Sequence, residues 1–197
     1  GGSVSGAPTA TWLARKGFKV LMVEKDIFPR DTNSTHFIWP RGMSYLNRLG
    51  VADKILEQTP HFKQLEVNIE GIRLHGGVPL QAVRDRFMSL HGDDDGVVDY
   101  YCGPRRFYLD KVLLDEARSS GVDVREGTSV KSVIIEDDVV VGVRGTGPDE
   151  TILEARAKVI IGADGRMSKF AHRVNSQKIK VREKSTFAYY GYYSGID

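Results

Sequence analysis

The chain has 197 residues, 41% hydrophobic and 27% charged, which is enough to bury one sizeable core and to begin a second domain. No apolar run approaches the roughly 18 residues of a membrane span. A net charge of +2, from 28 basic against 26 acidic residues, gives no electrostatic reason to expect nucleic acid or an anionic membrane as the main partner.

The single cysteine, Cys102, rules out an internal disulfide and a cysteine-based metal cage; it fits a reducing cytoplasm and reads as a small buried thiol. The five histidines show no metal-ligand spacing. The first residue is Gly1, and no secretion-signal pattern opens the chain, so it is expected to be a piece of a longer protein.

In chain order, residues 1–26 read as a glycine-rich loop, a helix over 7–16 stopped by Gly17, and a strand over 19–24. Ala7, Ala10, Leu13 and Ala14 share a helical face, while Val20, Leu21, Met22 and Val23 form the apolar run of a strand covered on both sides. This is the second half of a βαβ unit, and the strand expected to enter the glycine loop is missing. A proline-punctuated loop over 28–35 leads to helices near 41–49 and 52–58, the first stopped by Gly50. Residues 62–80 alternate, as in Glu66-Val67-Asn68-Ile69-Glu70, and are expected in a small separate sheet. Gly92-Asp93-Asp94-Asp95-Gly96 reads as a solvated acidic loop. A helix over 108–120, stopped by Gly121, precedes strands over 122–125, 129–136, 139–144, 152–155 and 158–161. The middle three form a meander inserted before a final apolar strand. Residues 178–184 alternate basic and apolar like a half-exposed strand, and 186–196, rich in tyrosine, read as another.

Two segments carry chemistry. Gly1-Gly2-Ser3-Val4-Ser5-Gly6 precedes a helix, and Glu24, 18 residues beyond Gly6, ends the next strand. Unpaired amides and the positive end of a helix dipole attract a pyrophosphate, small residues let the backbone approach it, and an acidic residue about 20 positions on accepts from ribose hydroxyls. An ordinary tight turn would use the same residues, and Ser3 stands where the motif has its middle glycine. The second segment, Gly162-Ala163-Asp164-Gly165-Arg166-Met167-Ser168, follows the apolar run 158–161. It sets a carboxylate at the carboxyl edge of a parallel sheet, where dinucleotides bind; an Asp-Gly turn capped by Ser168 is the alternative.

Residues 1–26, Arg106-Phe107-Tyr108-Leu109-Asp110, the meander and the Gly162–Ser168 segment resemble, in that order, the class A flavoprotein monooxygenases related to para-hydroxybenzoate hydroxylase. Residues 28–36 and Tyr189-Tyr190-Gly191-Tyr192-Tyr193-Ser194-Gly195 resemble the branch near geranylgeranyl reductases and flavin-dependent halogenases. The resemblance implies an α/β fold: a Rossmann-like, glutathione-reductase-type parallel sheet that holds FAD, with an inserted three-stranded meander. Residues 1–60 and 97–175 would form that domain, and 61–96 with 176–197 part of a β-rich substrate domain.

It further implies that Gly2, Ser3, Val4, Ser5 and Gly6 hold the FAD pyrophosphate and that Glu24 holds the adenosine ribose, with Lys25 beside it. Arg106 would meet the pyrophosphate or ribityl chain, the backbone of Val130 the adenine edge, and Asp164 with Gly165 the phosphates and ribose. Ser34, Thr35 and His36 would lie where the chain passes the flavin. Arg106 also reads as a surface ion-pair partner at a helix start, and His36 as a satisfied loop residue.

The activity so implied is hydroxylation of a small aromatic or other electron-rich substrate, with NAD(P)H as reductant and oxygen as co-substrate. Saturation of isoprenoid double bonds on the same fold is the alternative. An NAD-binding regulatory module is the non-enzymatic one, disfavoured by the meander between Glu24 and Asp164. No metal site is expected, and this piece alone is expected to be inactive.

Overall fold

The computed structural model describes residues 1–34, 37–180 and 195. Thr35, His36 and, apart from Gly195, the expected closing strand over 186–196 lie outside the described residues.

The glycine loop runs directly into α1 (Gly6–Arg15), whose Ala7, Ala10 and Thr11 are buried. Gly17 ends the helix at a φ of +86°, a conformation glycine adopts without a Cβ penalty. β1 (Leu21–Val23) follows with Met22 buried, as the apolar run predicts. α2 (Pro40–Arg48) opens on a proline, tolerated in a first turn because its missing N–H has no acceptor there. α3 (Ala52–Leu56) follows after Gly50.

Next come β2 (His61–Phe62), β3 (Gln64–Ile69), β4 (Ile72–Gly77), α4 (Leu80–His91) and β5 (Tyr101–Cys102). α5 (Arg106–Ser119), β6 (Asp123–Arg125), β7 (Ser129–Glu136), β8 (Val139–Thr146), β9 (Ile152–Arg156) and α6 (Lys169–Arg173) complete the described strands and α-helices.

β1 and β6 pair in parallel, Met22 opposite Val124, and α5 packs on α1 beside them. Met22, Leu109, Leu113, Leu114 and Ala117 meet Ala7 and Ala10 in one core that extends to Met43, Val51 and Ile55 of α2, α3 and the turn between them. Alanines on α1 let the bulkier leucines of α5 come close. Glu116 of α5 binds Arg15 of α1 at 2.5 Å and Lys54 of α3 at 3.2 Å, joining the three helices at the rim. β7, β8 and β9 form the expected antiparallel meander, with irregularities in β7 between Val130 and Ser132 and between Ile134 and Ile135.

Three expectations change. Residues 158–161 form no strand: Val159 and Ile161 are 74% and 54% exposed. An apolar run becomes a strand only beside a backbone that completes its ladder, and no described residue supplies one. Residues 80–91, inside the segment expected to be part of a β-rich domain, are α4. Leu80, Val83 and Phe87 recur at helical spacing, Phe87 is fully buried, and Gly92 closes the helix at a φ of +78°. Residues 178–180, the described part of the basic alternation, are not in a strand either. The acidic loop after α4 is anchored: Arg48 donates to both oxygens of Asp93, at 2.8 and 2.9 Å, and this bond holds the Asp93 carboxyl below its usual value. No helix among the described residues is long and apolar enough to cross a membrane. Cys102 is buried, and desolvation pushes its thiol pKa up.

Candidate functional site

The glycine loop is held at its base by Glu24. This carboxylate, 5% exposed, accepts from the Gly2 amide at 2.7 Å and the Asp26 amide at 2.9 Å, while the Glu24 amide donates to the Arg125 carbonyl at 2.9 Å. A carboxylate has about four acceptor directions, so two remain for hydroxyl donors. Thr128 donates to the Glu24 carbonyl at 2.8 Å, bringing the start of β7 to the same place; Val130 lies two residues further, paired with Gly145. Lys25 is exposed, its ammonium 3.8 Å from Asp26.

The loop closes against residues 163–164. A Cβ on Gly6 would sit 1.7 Å from the Gly1 carbonyl oxygen and 3.4 Å from the Ala163 methyl, so only glycine fits. A Cβ on Gly1 would sit 2.2 Å from the Ala163 carbonyl oxygen and 3.6 Å from the Asp164 Cα. The two segments singled out in the sequence thus meet, although more than 150 positions separate them. Asp164 accepts from the Ser168 hydroxyl at 2.5 Å and the Phe170 amide at 2.9 Å, and Ser168 caps α6 through the Ala171 amide. Burial pushes the Asp164 carboxyl up, but the bonds from Ser168 and from backbone amides outweigh it and hold the pKa below its ordinary value. Gly165 follows in an open, left-handed turn at a φ of +83°.

At the other edge of the loop, Arg106 opens α5 and reaches Ser3. Its Nε lies 3.1 Å from both oxygens of Asp110, and its Nη2 lies 2.9 Å from Oδ2. The spacing of Arg106 and Asp110, four apart on one helix face, was visible in the sequence, but Asp110 was not among the expected site residues.

Arg106 also lines a cleft of about 440 Å³, with Val4, Thr9, Ser34, Phe37, Leu46 and Pro104 among the other lining residues. Ser34, the described member of the expected flavin-proximal trio, therefore borders the same cleft as Arg106 and Val4. At this end of the molecule the dipole of α1 is positive, while the Ala7 amide already donates to the Ser3 carbonyl at 3.0 Å and the Thr9 amide to the Ser5 carbonyl at 3.4 Å. With a guanidinium beside it, this positive helix end suits a polyanion, and the apolar walls suit a flat organic group. The loop, the buried Glu24 and the cleft fit a dinucleotide. Among the described residues, no three His, Cys, Asp or Glu side chains gather as a metal site.

The FAD binding domain family model matches residues 1–191. The chain is 30% identical over 182 residues to aklavinone 12-hydroxylase of Streptomyces peucetius, covering 85% of this chain and 35% of that protein. It is 26% identical over 204 residues to tryptophan 2-halogenase of Chondromyces crocatus, covering 99% and 35%. The fold superposes on PqsL of Pseudomonas aeruginosa with a TM-score of 0.70 at 21% identity, covering 93% of this chain and 46% of that one. The chain thus spans about a third of the length of these curated relatives.

Proposed function

We propose that this chain, which belongs to the FAD binding domain family, is the cofactor-holding part of an NAD(P)H-dependent flavin monooxygenase acting on a small aromatic or other electron-rich organic molecule. The observation that carries the reading is the meeting of the Gly1–Gly6 loop with Ala163 and Asp164, flanked by Arg106 and a buried Glu24. Similarity to a hydroxylase over 85% of the chain supports it.

In this reading the backbone of Gly2, Ser3, Val4, Ser5 and Gly6 meets the pyrophosphate, helped by the α1 dipole and the Arg106 guanidinium. Glu24 takes the ribose hydroxyls with its two remaining acceptor directions, and Lys25 lies alongside. The Val130 backbone borders the adenine, Asp164 and Gly165 the phosphate and ribose edge, and Ser34 the flavin side of the cleft. When bound, FAD supplies hydride acceptance from reduced nicotinamide and activation of oxygen. The chain's own residues bind, orient and desolvate: the walls of Phe37, Leu46 and Pro104 exclude water from the cleft beside Arg106.

The test is made on the whole protein. It is expected to purify with flavin absorbance and to consume oxygen in step with NAD(P)H when the correct aromatic substrate is added. A flavin-bearing protein that oxidises NAD(P)H anaerobically while saturating an isoprenoid double bond would replace hydroxylation by reduction; a colourless one would remove the reading altogether.

A further inference from the structure

We propose that Ser3 is a positioning residue: its hydroxyl couples the glycine loop to the buried Arg106–Asp110 pair of α5 and so fixes the guanidinium against the cofactor's pyrophosphate. The inference rests on the reading of the loop given above.

Asp110 has no exposed surface, and a carboxylate so placed is strongly unfavourable without partners. It has two: Arg106, four residues earlier on the same helix, and Ser3, 107 positions away, whose Oγ donates to Oδ1 at 2.9 Å. The same Ser3 oxygen accepts from Arg106 Nη2. One hydroxyl therefore touches both members of the ion pair, and glycine, the usual residue at this motif position, would touch neither.

The consequence falls on Arg106. Its Nε and Nη2 are turned to Asp110 and Ser3, whereas Nη1 has no acceptor among the described residues, and the side chain borders the cleft beside Val4. A long arginine side chain loses conformational freedom when it clamps an anion. Holding it beforehand from two sides removes that loss from the binding step. Because the hydroxyl is neutral, removing it disturbs orientation without changing the charge of the site.

The probes are ADP, which carries a pyrophosphate, and adenosine, which does not, titrated against the whole protein stripped of flavin. Ser3→Ala is expected to weaken ADP roughly three- to tenfold, as the loss of one or two hydrogen bonds would, and to leave adenosine unchanged. In an Arg106→Gln background the same substitution is expected to change ADP affinity by less than about twofold, since no guanidinium remains to be held. Unchanged ADP affinity in Ser3→Ala overturns the inference, and so does equal weakening of ADP and adenosine, which marks a merely structural serine. Should Arg106→Gln not fold, the contrast between the two probes in Ser3→Ala decides alone. A wild-type protein that binds ADP no better than adenosine overturns the loop reading itself, and this inference with it.

Discussion

The glycine-loop region and the β3–β4 hairpin stand in opposite relation to solvent. Around the loop, Glu24 and Asp110 are buried and matched by backbone amides, a guanidinium and a hydroxyl, with leucines of α5 packed beneath. In the hairpin, Leu65, Val67, Ile69, Ile72 and Leu74 share one face and Gln64, Glu66, Asn68, Arg73 and His75 the other, and Ile69, Ile72 and Leu74 remain more than half exposed. The alternation of residues is sharper in the hairpin than anywhere in the core. Alternation therefore sorts the faces of a strand without supplying what covers them, whereas the loop region is closed by residues far apart in the chain.

This contrast makes graded predictions. The largest effect is expected from Asp110→Ala, which leaves Arg106 largely buried without its partner. A loss of about 3–5 kcal/mol in urea unfolding is expected, and one below about 1 kcal/mol would show that water already reaches the pair. Leu114→Ala, at a fully buried position on α5, is expected to cost about 3 kcal/mol by the same measurement, from lost burial plus the cavity left behind.

A smaller effect concerns Asp164. Its carboxyl pKa lies below the ordinary 3.8 in the folded chain, so the contribution to stability is present above that value and is lost as the pH falls through the folded pKa. Ser168→Ala removes one of the bonds that lower it, and an NMR titration is expected to show the Asp164 pKa moving upward. An unmoved titration would mean that the Phe170 amide and its neighbours suffice.

The smallest effect is expected at Ile69→Ser in a chain of residues 1–197, less than about 1 kcal/mol, because the side chain is already mostly in water. A larger loss would show that the apolar hairpin face is covered in solution and would erase the contrast drawn above.

Much of the cofactor region was legible in the sequence because it rests on local rules. Gly17, Gly50 and Gly121 end helices or turns where their positive φ is needed, the Met22 run is a buried strand, and the meander falls where its turn residues place it. α4 was equally legible, through Leu80, Val83, Phe87 and the Gly92 stop, but the alternation just before it led to the expectation of sheet.

By itself, then, the sequence determined the local alphabet of this protein: the glycine loop before a helix, the acidic end of β1, the strand and helix periods, and an overall order of motifs matching FAD-binding proteins. Those follow from backbone sterics and side-chain period, which act over a few residues. Only the tertiary structure decided that Ala163 closes on Gly6, that Ser3 meets Asp110, and that the apolar run 158–161 stays outside any described sheet. Each of these depends on which distant backbone or side chain supplies a partner, and no local pattern encodes the identity of that partner.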